Sequence, residues 1–384
     1  MSDLSVRYHY MDNLRALAML AGIFFHAAIA YGPLLNQIWL PASPDASIAM
    51  DAVAWFSHLF RMPLFFLIAG FFTCYMIEKR GIKGQLKNRA LRIALPFAIF
   101  WPMVVTSFAL LIGWAIKDIQ NLSPILGFAK MMAEQAEAPP PPASTTHLWF
   151  LYNLVQFYLV YALIHRFGLM QMSWARVLGN TKFVVFALPL LVVPALFTQF
   201  SPYPAPEQFT PKLWSFGYFG VFFLIGSYMY KNQSLVDHLR PYAPWLLVSS
   251  IIMYGFVFRD MPAAVSLEFA MAIQAGPEPS IQHLLIATLE AYISVHMTIV
   301  CLVAGKALLD KANKTFRYIA DASYWIYIIH LPVLWGLQFY MLDTDWNLWV
   351  EFIVASFGTL LIGLITYAVL VRKTPIGWML NGKR

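Results

Sequence analysis

Charged residues are scarce in this chain: Asp, Glu, Lys and Arg make up 12% of its 384 residues, while hydrophobic residues make up 60%. A soluble domain carries roughly 25% charged residues, and half that share is too little to solvate the surface of a chain of this length. The mean hydropathy, +0.63, points the same way. The lack of charge therefore excludes a water-soluble fold and predicts an all-α integral membrane protein.

Cysteine is almost absent as well, with Cys74 and Cys301 the two examples in the chain. Two cysteines in separate apolar segments build neither a disulfide framework nor a thiolate metal site, so we expect no metal. The sequence also lacks a visible internal repeat, which disfavours the inverted-repeat transporters.

Long apolar runs, by contrast, follow one another almost from end to end. A helix needs roughly 20 apolar residues to cross a bilayer, and about ten segments reach that length. They predict a single membrane domain over residues 1–384 with spans at 13–32, 52–77, 93–116, 147–165, 183–200, 213–230, 242–258, 283–305, 319–341 and 347–371.

The net charge of +7 suggests nucleic acid at first sight, but the positions of the basic residues indicate topology instead. With the N-terminus inside, the cytoplasmic segments hold most of the Lys and Arg residues, as the positive-inside rule requires. The basic residues assigned to the outer side are Lys117, Lys130, Lys212 and Arg259. The sequence therefore predicts both termini in the cytoplasm, a lipid bilayer as partner and no binding to nucleic acid.

Three connecting segments stand out from the others. Two long outer loops are predicted near 117–146 and 259–282, and the first contains a run of four prolines. The inner loop at 78–92 is short and strongly basic. The outer loops are long enough to shape an outward-facing cleft, although plain connections would have the same composition.

Ionisable residues inside a membrane are costly and by default mark a functional site. Arg15 and His26 in the first span are 11 positions apart, which puts them on one helix face about 16 Å apart along the axis. His58 and Arg61 form an i,i+3 pair in the second span.

The ninth span adds a stripe of three polar side chains. Ser323, Tyr327 and His330 are spaced i, i+4 and i+7 along it. Converted to depth from the cytoplasmic face, His26 lies at about 19 Å, and both His330 and Arg61 lie at about 16 Å. Three groups from three helices are therefore predicted to meet near the middle of the membrane. Each histidine taken singly is also explained as an interhelical hydrogen-bonding residue.

Two further positions suit ligand contacts at the membrane faces. Arg89 and Arg92 share a helix face at the inner end of the third span, and guanidinium groups bind phosphate in two-pronged geometry. Ordinary anchoring to anionic lipid explains them equally well. His147 and Trp149 open the fourth span on the outer side, where a sugar would arrive, although an interfacial Trp anchor fits Trp149 too.

Taken together, these motifs resemble those of the acyltransferase 3 family, and within it the glucans biosynthesis protein C group. The segments that carry the resemblance occur in order over nearly the whole chain. They are DNLRA (12–16) followed by His26, RMPLFFLIAGF (61–71), NRALRIALP (88–96), HLWFL (147–151) and ASYWIYIIHLP (322–332). One departure is Ala69, where the family often has Ser.

The resemblance implies a function and a set of roles. The protein is expected to move an acyl group, succinyl or acetyl, from cytoplasmic acyl-CoA to a hydroxyl of a periplasmic or cell-surface glycan. The family's first-helix His and Arg map onto His26 and Arg15. The membrane implied is the bacterial inner membrane, crossed several times. The oligomeric state stays open, with a homodimer as one option.

The chemistry assigns the candidate residues to three groups. His26 is the general base or a transient acyl carrier, while Arg61 or His330 stabilises the oxyanion. The CoA phosphates would be held by Arg15, Arg89 and Arg92. The acyl group or acceptor would contact His58, His147, Trp149, Ser323 and Tyr327.

A secondary transporter for an anionic or sugar substrate is the alternative from a different class. Basic groups at the middle of the membrane fit such a transporter as well as they fit an enzyme. The two hypotheses differ in one observable, because the transporter moves intact substrate and consumes no acyl donor.

Overall fold

A computed structural model describes residues 8–135, 143–169, 173–272 and 276–382. Within these ranges the chain is α-helical, and extended pairing is limited to one isolated bridge between Ser144 and Gln208. The helices are α1 His9–Ile29, α2 Ile48–Arg89, α3 Leu95–Asp118, α4 Pro124–Ala133, α5 Trp149–Arg166, α6 Leu188–Phe197, α7 Leu213–Lys231, α8 Ser234–Leu239, α9 Ala243–Asp260, α10 Leu267–Ala272, α11 Ile281–Leu308, α12 Lys314–Met341, α13 Leu348–Thr366 and α14 Pro375–Asn381.

Every predicted span coincides with helix, and seven helices of the described residues are long and apolar enough to cross a membrane. One of the seven runs for 71 residues, Ile48–Asp118, and covers two predicted spans. Its path breaks at Gly81, whose φ of 66° is not helical. The prediction of an all-α membrane protein is thus confirmed, while the number ten stays a prediction.

The distribution of polarity is reversed relative to a soluble protein. Large apolar side chains such as Leu213 (86% exposed), Ile281 (83%) and Leu110 (70%) face outwards. Ionisable side chains such as His58 and Arg61 are buried inside the bundle. An apolar exterior of this extent is stable against lipid rather than water, so the protein is a multi-pass membrane protein.

Hydrogen bonds between loops define two opposite ends of the bundle. At one end, the Tyr10 amide donates to Asp310 and the Asn381 side chain donates to the Asp321 carbonyl, so both described chain ends lie together. The loops of the opposite end are joined by bonds from Val265 to Leu34, Ser123 to Leu40, Gln120 to Asp343 and Thr145 to Glu207.

Helices α2 and α7 approach each other so closely that two glycines are required. A Cβ atom on Gly70 would overlap the carbonyl of Phe223, and one on Gly226 would overlap the carbonyl of Leu67. Both obstacles are backbone atoms, which cannot rotate away. This contact fixes the position of α2, the helix that carries His58 and Arg61.

Replacing Gly226 by Ala is therefore expected to destabilise the protein by about 1–3 kcal/mol, the usual cost of overpacking. The matched control is Gly113→Ala in α3, where a Cβ has open space and Ala favours the helix. Thermal unfolding of both variants in detergent measures the difference. Equal melting temperatures for the two variants would contradict the close contact.

Candidate active site

A cavity of about 390 Å³ lies between α1, α2, the start of α5 and α12. We name it the histidine cavity, because His26, His58, His147 and His330 all line it. Its volume falls in the range of pockets that bind small molecules. Helices α1, α2 and α12 and the turn before α5 therefore bring ionisable side chains to one space.

Three imidazoles form a continuous cluster in this cavity. The ring centroids of His26 and His330 are 5.3 Å apart, and those of His147 and His330 are 5.0 Å apart. The predicted meeting of His26 with His330 at one level is confirmed. His147 lies deeper than a residue at the outer end of a span, because its ring bonds to the Ile328 carbonyl halfway along α12.

Backbone carbonyls fix the tautomers of three of these rings. His58 Nε2 bonds to the Tyr203 carbonyl at 2.9 Å, His147 Nε2 to the Ile328 carbonyl at 3.0 Å, and His330 Nδ1 to the Tyr327 carbonyl at 2.7 Å. A carbonyl can only accept, so each bonded nitrogen carries a proton and donates it. These three rings are thereby held in orientation.

His26 differs from the other three rings. No described carbonyl holds its proton, and its Nδ1 atom is enclosed without a hydrogen-bond partner. The ring lies parallel to Trp39, with centroids 6.2 Å apart and an interplanar angle of 11°. Because Nδ1 is enclosed, the nitrogen that a ligand in the cavity can reach is Nε2.

The Arg61 guanidinium is buried in the same cavity with few partners. It lies 4.4 Å above the Phe25 ring and donates one long hydrogen bond, 3.4 Å, to the Ala21 carbonyl. No ion pair involves Arg61 among the described residues. A buried guanidinium that lacks an anion retains several donors, so it can bind an anionic or oxyanionic group.

A second cavity, of about 210 Å³, lies towards the end of the bundle where both described chain ends are found. We name it the arginine cavity, because Arg15, Arg89 and Arg92 line it. Arg92 belongs to the π-helical turn Ala90–Ala94, an irregularity common at functional sites. Arg15 pairs with Asp12, whereas the enclosed Arg89 Nε has no partner. All three predicted donor-binding arginines thus lie together.

The two cavities adjoin at a narrow point. Met19, Phe65 and Phe150 line both of them. All three side chains are apolar, and Met19 and Phe65 come from the helices that also carry Arg15, His26 and Arg61. A ligand that filled both cavities would pass this constriction.

Five residues are predicted to contact the acyl group or the acceptor, and four of them line the histidine cavity. His58, His147, Trp149 and Tyr327 are at the histidine cavity. Ser323 instead lines the arginine cavity and donates its hydroxyl hydrogen bond to the Ala320 carbonyl. Ser323, Tyr327 and His330 lie on one face of α12. Ser323 and Tyr327 are four positions apart, however, which is about 6 Å along the helix axis. The stripe therefore divides between the two cavities.

The environment of Trp149 differs from that of an interfacial anchor. Its ring packs against Phe66 and Phe219, with centroids 6.4 Å and 5.7 Å away, and only 8% of the residue is exposed. Trp39 and Trp335, which the sequence patterns did not single out, also line the cavity, with Glu207 on a loop. The sequence patterns did not indicate these residues, because Trp39 and Glu207 lie in loops and Trp335 places no charge in its apolar span.

In the described part of the chain, no group of three or more His, Cys, Asp or Glu residues has an arrangement that could hold a metal ion. The residues that line the two cavities present hydrogen-bonding and cationic groups. Imidazole lone pairs and a guanidinium suit proton transfer and stabilisation of a negative oxygen. Clustered guanidinium groups suit phosphates.

Comparison with known proteins gives one consistent result. The family model described as an acyltransferase domain, that of the acyltransferase 3 family, matches residues 8–368. Glucans biosynthesis protein C of Escherichia coli strains K12, SMS-3-5 and O9:H4 HS is 20% identical over 389 residues, covering 98% of this chain and 95% of each relative. No solved structure matches the chain. Since the family model matches nearly the whole chain, the chain belongs to the acyltransferase 3 family.

Proposed function

We propose that this protein transfers an acyl group from cytoplasmic acyl-CoA to a hydroxyl group of a periplasmic or cell-surface glycan. The observation that carries the proposal is the pair of adjoining cavities, one lined by three arginines and the other by four histidines and Arg61. A CoA donor has phosphates at one end and a thioester at the other. The order of the two cavities along the bundle matches that order of groups.

The proposal includes the topology. The seven apolar helices include Ile48–Asp118, which is long enough for two spans, so together they provide eight spans. Helix α12 and the shorter apolar helix Phe183–Phe197 bring the number to ten. An even number agrees with both described chain ends lying at one end of the bundle. The basic loop at 78–92 assigns that end to the cytoplasm by the positive-inside rule. The membrane we propose is the bacterial inner membrane.

On the donor side, the arginine cavity would hold the CoA phosphates. The enclosed Nε of Arg89 has no hydrogen-bond partner, and Arg15 and Arg92 add two more guanidinium groups at the same cavity. The pantetheine arm would then extend past Met19, Phe65 and Phe150 and bring the thioester carbonyl next to His26. The path from Arg15 to His26 is about 16 Å along α1.

Proton transfer by His26 is the first form of the mechanism. The acceptor hydroxyl gives its proton to His26 Nε2, its oxygen attacks the thioester carbon, and the carbon–sulfur bond breaks. The proton on His26 then passes to the departing thiolate, so that free CoA and an ester result. Arg61 lies where it can donate hydrogen bonds to the carbonyl oxygen while that oxygen is negative.

In the second form, His26 Nε2 itself attacks the thioester and carries the acyl group. The carbon–sulfur bond breaks and the thiolate takes a proton from the medium. In the next step the acceptor oxygen attacks the acyl carbon, the carbon–nitrogen bond to His26 breaks, and the hydroxyl proton returns to the medium. Arg61 has the same role in both forms. If the donor is succinyl-CoA, Arg61 with His58 is the cationic site available to its distal carboxylate.

The test is acyl transfer by the purified protein in liposomes, with radiolabelled acetyl-CoA and succinyl-CoA and a glucan acceptor. We expect release of CoA together with label in the glucan, and the faster donor identifies the acyl group. Movement of intact substrate across the membrane without CoA release would contradict the proposal and favour the transporter.

A further inference from the structure

The end of the histidine cavity away from the arginines opens between two groups of loop residues. We name this opening the cavity rim. One side consists of residues 38–40, and the other side consists of Ser144, Thr146, Ala205 and Glu207. Side chains at the rim are partly exposed, unlike the enclosed imidazoles below them. A substrate that enters from this end meets the rim first.

The second side of the rim is held rigidly by hydrogen bonds. Both the amide and the hydroxyl of Thr145 donate to the Glu207 carbonyl, each at 2.7 Å. The Trp101 indole donates to the Ser144 carbonyl at 2.9 Å, and Tyr152 donates to the Phe209 carbonyl at 2.6 Å. The backbone that carries Glu207 is therefore fixed relative to α3 and α5.

Glu207 is the one acidic side chain among the described residues that line the histidine cavity. Its Oε2 atom accepts a hydrogen bond from the Ser144 hydroxyl at 3.2 Å, and no described residue bonds to Oε1. The side chain is accessible to solvent at the rim, yet the surrounding protein desolvates the carboxyl and raises its pKa. A carboxylate with spare lone pairs in such surroundings gains most from hydroxyl donors.

Trp39 forms the facing side of the rim and is equally fixed. The neighbouring Leu40 carbonyl accepts a hydrogen bond from Ser123, and the Trp39 ring packs edge-on against Trp335 with centroids 5.7 Å apart. The same ring lies parallel to His26. Trp39 and His26 therefore line the same cavity as neighbouring rings.

We infer that Trp39 and Glu207 form the acceptor-binding subsite, with a sugar ring packed on the indole and its hydroxyls donating hydrogen bonds to the carboxylate. A sugar ring has an apolar C–H face and hydroxyls at its edge, so an aromatic wall opposite an acceptor group matches it. Bound there, one hydroxyl is directed down the cavity towards His26. This inference rests on the proposed function and adds the residues that select the acceptor.

The test separates acceptor recognition from donor recognition. The variants are Glu207→Gln and Trp39→Ala. The matched controls are Glu268→Gln in α10 and Trp346→Ala in the loop before α13, which change exposed residues outside both cavities. We expect the KM for the glucan to rise about tenfold in each variant, as loss of about 1.4 kcal/mol would produce. The binding constant for acyl-CoA, measured without glucan, should stay as in the wild type.

A variant Trp39→Phe keeps an aromatic plane, and its KM for the glucan is expected to lie between those of the wild type and Trp39→Ala. Unchanged KM for the glucan in both main variants would overturn the inference, as would an equal loss of donor binding. Failure of the wild type to release CoA would instead overturn the proposed function itself, so the two failures are distinguishable.

Discussion

Substituting Ala for His26 is expected to lower kcat/KM for acyl transfer by about 10³-fold, within the usual range for loss of a general base or nucleophile. His26 is the one ring of the cluster whose proton no described carbonyl holds, and its accessible nitrogen faces the cavity. The measurement is CoA release from acyl-CoA in the presence of glucan, with protein reconstituted in liposomes.

Two comparisons make the His26 result specific. His283→Gln changes a histidine that bonds to the Phe197 carbonyl and lies outside both cavities, so it should leave the rate unchanged. His26→Gln keeps a polar side chain of similar length and should be as inactive as His26→Ala while binding acyl-CoA normally. Wild-type rates in either His26 variant would remove His26 from the mechanism.

The second large effect is expected at Arg61. Arg61→Met should lower kcat by about 10²–10³-fold, the cost of removing one oxyanion-stabilising donor. The substitution also removes a buried charge whose described contacts are the Phe25 ring and one long hydrogen bond. Stability in detergent should therefore be retained, so that the loss of rate is not a loss of folding.

Arg61→Lys sharpens this prediction, because lysine keeps the charge but loses the planar set of five donors. We expect it to restore only part of the rate. Arg259→Lys is the matched control, since Arg259 also lies over a phenylalanine ring, that of Phe256 at 5.7 Å, but on the exposed end of α9. An Arg61→Met enzyme with normal kcat and a raised donor KM would show that Arg61 binds the donor and does not act in the chemical step.

The predictions that depended on helix periodicity agree with the structure. His58 and Arg61, three residues apart, line one cavity, and so do Arg89 and Arg92. The depth argument brought His26 and His330 to one level, and their rings are neighbours. These predictions hold because a helix in a membrane must keep its regular backbone hydrogen bonds, so that position in the sequence translates directly into height and face.

The features that sequence reasoning missed lie where this regularity ends. His147 belongs to the short 3₁₀ turn Thr146–Leu148, which is preceded by loop, so its depth beside Ile328 does not follow from counting along α5. Trp39 and Glu207 are loop residues, brought to the cavity by hydrogen bonds to Leu40 and Thr145. No spacing rule encodes such contacts, because they join segments 60 or more residues apart.

The sequence by itself determined that this is an all-α membrane protein and which faces of its helices carry ionisable side chains. Low charge and apolar runs are sufficient for this, since lipid leaves backbone polar groups no partners outside the helix. Only the tertiary structure decided how those faces are shared between two cavities, with Ser323 beside the arginines and His330 beside His26. That division depends on the packing of helices that are not adjacent in the sequence. Close contacts, such as that of Gly226 with the Leu67 carbonyl, fix these helices in position.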